Sequence, residues 1–235
     1  MTLPPGCPRL SRLSGEALDA ELLARAQRYP LAAGDEEIVA RALAYPYVPP
    51  HESYVLGDPV LDGRHRVLAY GANGSPEVLR RKLGPDVELA VQAQTLHGFE
   101  LVYSAHISAY GAIPATIHAV PGAAIPVFVL LLDDHQLVRL AETEFNYSIQ
   151  RLGGDLIAFV SRHGTLGLTG EPIRLADRGQ RELQALVREH VAPGESEEEF
   201  ILRNVRDHAR ALRFTIELRR TGIPFSAEGA ELLDV

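Results

Sequence analysis

The chain has 235 residues, of which 46% are apolar and 23% charged, with a formal net charge of −8 and a pI near 5.6. These proportions are ordinary for a globular domain and exclude a disordered, collagenous or disulfide-rich chain. The acidic balance argues against nucleic acid, whose binders are normally basic, and against an anionic membrane surface.

The chain reads as three zones. Residues 1–66 form a helical, then extended, N-terminal addition. Its start, Met1 to Leu13, carries Pro4, Pro5 and Pro8 and no apolar run of signal-peptide length. Cys7 is the single cysteine. It permits no intramolecular disulfide and no thiolate zinc site, which fits a reducing, cytoplasmic setting. Ser14 is a good N-cap, Leu18, Leu22 and Ala26 share a face, and Pro30 should end the helix. A second short helix is expected after Asp35. Pro46, Pro49 and Pro50 should hold Tyr45 to His51 extended.

Residues 67–170 are strand-rich. Val67–Tyr70, Phe99–Ser104, Ala115–Ala119, Val127–Leu132 and Leu156–Ser161 are short apolar or alternating runs punctuated by glycine and proline. Helices are expected after Ser75 and after Asp133. The longest apolar run, Ile125–Leu132, is too short to span a bilayer, which needs roughly 20 residues. Strands with few crossover helices predict an α+β fold, its mixed sheet closing toward a barrel. Residues 171–235 return to helix. Pro193-Gly194 separates two helices, and the second opens with a capping box, Ser196 to Glu199. Its apolar stripe, Ile201, Val205, Ala209, Leu212 and Ile216, predicts one helix ending near Gly222, packed on its own chain. The 23 basic residues include one lysine, Lys82; this bias reads as genome composition.

Two places carry candidate chemistry. After the strand ending at Tyr70 comes Gly71-Ala72-Asn73-Gly74, then Ser75 and Pro76, suited to the N-cap and first turn of a helix. Small residues before a helix N-terminus let backbone amides approach an anion. The loop lacks the lysine of a Walker loop and the third glycine of a dinucleotide fingerprint. A plain tight turn explains it as well as a binding site does. The second place is Glu144. If the helix opened by Asp133 lasts that far, Glu144 shares a face with Leu137 and Leu140. Glu142 points about 200° away from Leu140 and is expected in solvent. A carboxylate on an apolar face suits general acid or base work. Alternatively the helix ends by Thr143, and Glu144 caps it or pairs with an arginine.

Together these segments resemble the gamma-glutamylcyclotransferase-like family, which includes the AIG2-like proteins. Tyr70-Gly71-Ala72-Asn73-Gly74 resembles that family's Tyr-Gly-Ser-Asn opening. Leu96 to Tyr103 resembles its Leu-x-Gly-Tyr-x-Leu-x-Phe strand. Ala115-Thr116-Ile117 with Pro121-Gly122 resembles its Ala-Thr-Ile segment. Leu137-x-x-Leu140-Ala141-x-x-Glu144 resembles the segment ending in its catalytic glutamate. The four segments keep their order over residues 67–155. Ala72, Gly74, Ala141 and Val127 depart from the pattern, Val127 at a place where bulk would crowd the cavity.

The resemblance implies a small mixed-sheet barrel with helical additions at both ends. It implies an enzyme that cyclises a γ-glutamyl amide to 5-oxoproline and releases an amine. Glu144 would be the general acid/base. Tyr70, Gly71, Ala72, Asn73 and Gly74 would hold the substrate's carboxylate, with Tyr147 as the neighbouring aromatic. Neither a metal nor an organic cofactor is implied. Its partner would be a small γ-glutamyl compound.

Other classes draw less support. Ser104, Ser108 and Ser161 lie near His106 and His163 in sequence, but no Gly-x-Ser-x-Gly elbow occurs. The histidines, His97, His118 and His135 among them, show no metal-ligand spacing. A non-catalytic module of the same fold, binding a small molecule or a protein, is the alternative. In it, Val127, Phe128 or an added helix would fill the cavity.

Overall fold

A computed structural model describes residues 2–29, 34–47 and 50–234. After a short 3-10 turn, α1 (Gly15–Ala26) and α2 (Asp35–Leu43) form the N-terminal helices. Both stand where the sequence predicts them. Ser14 occupies the N-cap position of α1 but makes no side-chain capping bond. Pro30 and Pro49 lie outside the described residues. Tyr45 and Pro46 form a turn with a cis bond between them, and Tyr47 has a positive φ of 60°, so this stretch is not simply extended.

Next come β1 (Tyr54–Leu56), β2 (His65–Ala69), a single 3-10 turn at Gly71–Gly74, and α3 (Pro76–Leu83). Proline at the first turn and glycine after the last mark the ends of α3. The chain then makes a long hairpin from β3 (Leu89–Tyr103) and β4 (Ala115–Leu132). Sequence splits β4 into two runs, at the turn-forming pair Pro121-Gly122. The structure carries the strand straight through. Its register against β3 shifts beside Gly98, where a bulge absorbs extra β4 residues. Gly98 and Gly122 have φ values of 80° and 82°, a region that favours glycine. The turn signal was therefore a bulge signal.

Then follow α4 (Asp134–Thr143), β5 (Tyr147–Arg151), β6 (Leu156–Ser161), α5 (Gln180–Val191), α6 (Glu197–Arg206), α7 (His208–Arg219) and β7 (Glu231–Leu232). Capping boxes open α4 at Asp133 and α6 at Ser196. The predicted single C-terminal helix is two. Asp207 leaves helical geometry, and its side chain accepts the Arg210 N–H, capping α7. Aspartate competes for backbone in this way when it stands inside a helical pattern.

The seven strands form one mixed sheet in the order β1-β3-β4-β2-β6-β5-β7. Among the described residues only β2 and β6 run parallel. The fold is α+β as predicted, but the sheet does not close into a barrel. Its edges are β1 and β7, of three and two residues, and each pairs on one side alone. Nor are the three zones structurally separate. β1 and β7 extend the central sheet from outside it in sequence.

The main core lies between the sheet and α3 and α4, where Leu79, Leu83, Leu137 and Leu140 meet Val67, Val91, Leu130 and Leu132. Burying one such leucine is worth about 1.5–3 kcal/mol. A second core joins the far end of the hairpin to α5–α7 through Tyr103, Ile113, Leu183, Phe200 and Leu218. Ile201 and Val205 pack against Ile38 and Ala42 of α2, so that part of the stripe is covered by its own chain. Among the described residues no helix is long and apolar enough to cross a membrane.

Candidate functional site

Glu144 stands just beyond the end of α4, as its C-cap residue, with φ −100° and ψ 35°. The helix stops at Thr143. This is the second of the two readings of the sequence, with one change: the partner is not an arginine. Glu144 is 9% exposed. Its Oε1 accepts from the Asn73 side-chain amide at 3.0 Å and from the Lys82 ammonium. Lys82 Nζ also donates to Asn73 Oδ1 at 2.8 Å. The three side chains therefore close a small ring. Both contacts to the carboxylate fall on Oε1, so Oε2 is the oxygen left to meet a ligand. The apolar face expected around Glu144 is replaced on this side by an ammonium and an amide. Glu142, as predicted, is exposed.

The ring sits in the wall of a pocket of about 780 Å³, counting its open mouth. Six of the eight tyrosines line it: Tyr29, Tyr45, Tyr47, Tyr70, Tyr110 and Tyr147. Burial raises the hydroxyls of Tyr45, Tyr70, Tyr110 and Tyr147 above the ordinary tyrosine value. They are phenols, available as neutral donors and as aromatic wall. Tyr70 donates to the Phe159 carbonyl. Tyr147 donates to the Ala115 carbonyl at 2.9 Å. Tyr45 Oη accepts the Ala115 N–H at 2.8 Å. These bonds hold the rings in place.

Of the residues singled out in the 70–74 segment, Tyr70, Ala72 and Asn73 line the pocket, as does Tyr147 beyond it. Gly71 and Gly74 are not in the lining. Gly71, at φ 59°, backs it, and a Cβ there would collide with the Tyr45 hydroxyl. Gly74 is buried, and its carbonyl accepts from Tyr54 at 2.8 Å. The Ser75 amide is used by the Ala72 carbonyl. So the loop meets the pocket through the Asn73 side chain as much as through backbone. Val127 lies outside the pocket, packed with Ile117 and Val160. Phe128 belongs to the main core.

Sequence reasoning missed three parts. Lys82 is the one lysine among many arginines, and nothing in its spacing marks it as the partner of Glu144. The wall tyrosines of the N-terminal zone had no periodicity to mark them. The third part is the way serines and histidines already named from the sequence assemble into a buried polar cluster behind the wall. Ser104 Oγ is 2.6 Å from His106 Nδ1 and 2.6 Å from Ser161 Oγ. The His163 ring lies 4.7 Å from that of His106, tilted by 39°, and its Nε2 lies 3.0 Å from Asn146 Oδ1. His106 and Asn146 both line the pocket. Burial, aided by Arg219, pushes His106 down to about 3. Burial, then His106, Arg219 and Arg162, pushes His163 well below its usual value. Both rings are neutral at physiological pH.

Beyond Lys82 the surface opens into a second depression carrying Arg25, Arg28 and Arg81, with Glu142 as the acid among them. The mouth is thus rich in cations on an acidic chain. Cys7 is buried and desolvation raises its thiol to about 11, which leaves it protonated and unreactive. No group of three or more histidine, cysteine, aspartate or glutamate side chains that could hold a metal occurs among the described residues. Comparison with protein-family models, with curated proteins and with solved structures gives no match.

Proposed function

We propose that the protein is a gamma-glutamylcyclotransferase-like enzyme, an open-sheet variant of that fold. One observation carries the reading. Glu144 and Asn73, from two segments that each resemble that family's, are hydrogen-bonded to each other in the wall of a pocket. A carboxylate only 9% exposed is costly unless paired, and Lys82 and Asn73 supply the pairing while the pocket gives it access to a ligand.

The reaction needs little. The α-amino nitrogen attacks the δ-carbonyl carbon, a five-membered ring closes, and the amide C–N bond breaks. Glu144 Oε2 takes a proton from the α-amino group and returns one to the departing amine. Lys82 and Asn73 hold the carboxylate through Oε1, so its free oxygen is aimed. The nucleophile is tethered, so the pocket's main task is to select one rotamer of the glutamyl chain. The tyrosine wall and Asn73 line the space where that chain would lie. Arg28 and Arg81 at the mouth suit a leaving amine that carries its own carboxylate, as in a γ-glutamyl amino acid or peptide.

The test is a panel of γ-glutamyl amino acids, peptides and amines, with 5-oxoproline detected by mass spectrometry. The expected result is product from the carboxylate-bearing members, lost by at least a hundredfold in Glu144→Gln with the melting temperature lowered by only about 2–4 °C. Product formed equally well by Glu144→Gln would remove the glutamate from the mechanism. No product from any member would refute the cyclotransferase reading.

A further inference from the structure

We propose that His106 is a ligand-reading donor of the pocket: a neutral imidazole, held in its Nε2–H form by Ser104 and Ser161, that donates to a carbonyl or carboxylate oxygen of the bound molecule. The protons along one chain of hydrogen bonds fix the tautomer. The backbone N–H of His163 donates to Ser161 Oγ at 3.0 Å. Ser161 Oγ is 2.6 Å from Ser104 Oγ, which is 2.6 Å from His106 Nδ1. Ser104, His106 and Ser161 are all buried. Buried hydroxyl protons need acceptors.

Only one direction gives each proton an acceptor. Ser161 donates to Ser104, and Ser104 donates to His106 Nδ1. In the reverse direction His106 Nδ1–H donates to Ser104 and Ser104 to Ser161. Ser161 Oγ then receives two donors, and its own proton has no acceptor among its contacts. The forward direction leaves Nδ1 unprotonated and places the ring proton on Nε2. Nδ1 is occupied by Ser104, and His106 lines the pocket. Nε2–H is therefore the group it offers to a ligand. The Tyr147 ring, edge-on to His106 at 5.7 Å, fixes the plane of the imidazole.

A neutral donor pointing into a site of this size matches an oxygen bearing negative charge or about to bear it. Where Glu144 is the acid/base, the acceptor is the δ-carbonyl or the α-carboxylate of the glutamyl group. Only this choice of acceptor rests on the cyclotransferase reading.

The test has two arms. In the first, ring-selective ¹⁵N NMR on the full chain between pH 6 and 8 reads the tautomer. An Nε2–H signal for His106 that does not titrate is expected. An Nδ1–H signal, or a charged ring at pH 6, overturns the proposal. In the second, His106→Leu and His106→Gln are compared, with melting curves to confirm folding. Glutamine can return an N–H near the place of Nε2. With a substrate from the γ-glutamyl panel, about a tenfold or larger loss of kcat/KM is expected in His106→Leu, with most of it restored in His106→Gln. Turnover untouched by both changes would sink the donor role and leave the cyclotransferase reading standing. If nothing in the panel turns over, that reading falls by itself. The donor is then read from the shift of the His106 Nε2 proton on titration with 5-oxoproline and N-acetylglycine. A saturable downfield shift supports it, and none refutes it.

Discussion

Lys82→Met is the sharpest probe of the site's construction. Methionine keeps most of the stem's volume and removes the ammonium. Glu144 would then keep one partner, the Asn73 amide at 3.0 Å, for a carboxylate whose side chain is 10% exposed. Breaking a fully buried ion pair from one side costs about 3–5 kcal/mol. Here the lysine side chain is 17% exposed and both groups face a pocket open to water, so about 2 kcal/mol is expected. Glu144→Gln costs less, about 1 kcal/mol, because the new amide oxygen still accepts from Lys82. In the double variant neither charge is stranded. The two costs should fail to add by about 1 kcal/mol, the double variant being the more stable than their sum. Urea unfolding followed by circular dichroism measures this. With a slope near 3 kcal/mol per molar, Lys82→Met lowers the midpoint by about 0.7 M. Costs that add to within about 0.3 kcal/mol would mean that the ring of Lys82, Asn73 and Glu144 is not an energetic unit in solution.

Acid should destabilise the protein early. His106 and His163 stay neutral in the native state, His106 down to about 3, while in the unfolded chain both bind a proton near 6.5. Between those values the unfolded state holds more protons, so stability falls as pH falls, by up to about 1.4 kcal/mol per pH unit for each ring. Unfolding free energies at pH 7.0 and pH 5.5 should differ by about 2.5 kcal/mol from these two groups, and equal values would contradict their buried neutrality. Tyr45→Phe removes the acceptor of the buried Ala115 N–H and should cost about 1–3 kcal/mol, measured as a drop in melting temperature. A neutral outcome would mean that water reaches that amide behind the tyrosine wall.

Local signals located the helices well, because caps and breakers act over a few residues. Asp133, Ser196 and Pro76 each set a helix end that sequence alone made readable. Longer-range features were misread for physical reasons. Gly98 and Pro121-Gly122 look the same in sequence whether they turn a chain or bulge a strand. The difference lies in the partner strand, which continues on both sides. Asp207 carries the same ambiguity inside a helical stripe. Glu144 was found by its spacing from Leu137 and Leu140, yet the helix ends one residue before it. What holds it is Lys82, sixty-two positions away, and no periodicity links those two. Sheet closure was beyond reach too. It depends on whether the short edges meet, and these edges, β1 and β7, come from the outer zones.

Those outer zones matter for the site itself. Three of its six wall tyrosines, Tyr29, Tyr45 and Tyr47, belong to the N-terminal residues read as an addition. Tyr45 does the most. Its hydroxyl takes the Ala115 amide at the start of β4 and lies where any side chain on Gly71 would have to go. Arg41 of α2 lies 5.4 Å from the Tyr29 ring and 5.6 Å from that of Tyr110, tying both rings to one guanidinium. α2 in turn is held by Ile201 and Val205 of α6. The pocket's rigidity thus runs from the C-terminal helices through α2 to the tyrosines, and from there to the loop that carries Asn73. A site built in this way cannot be cut from the central residues 67–170 without losing one wall. The turns that follow α1 and α2, which carry Tyr29, Tyr45 and Tyr47, are part of the site's construction.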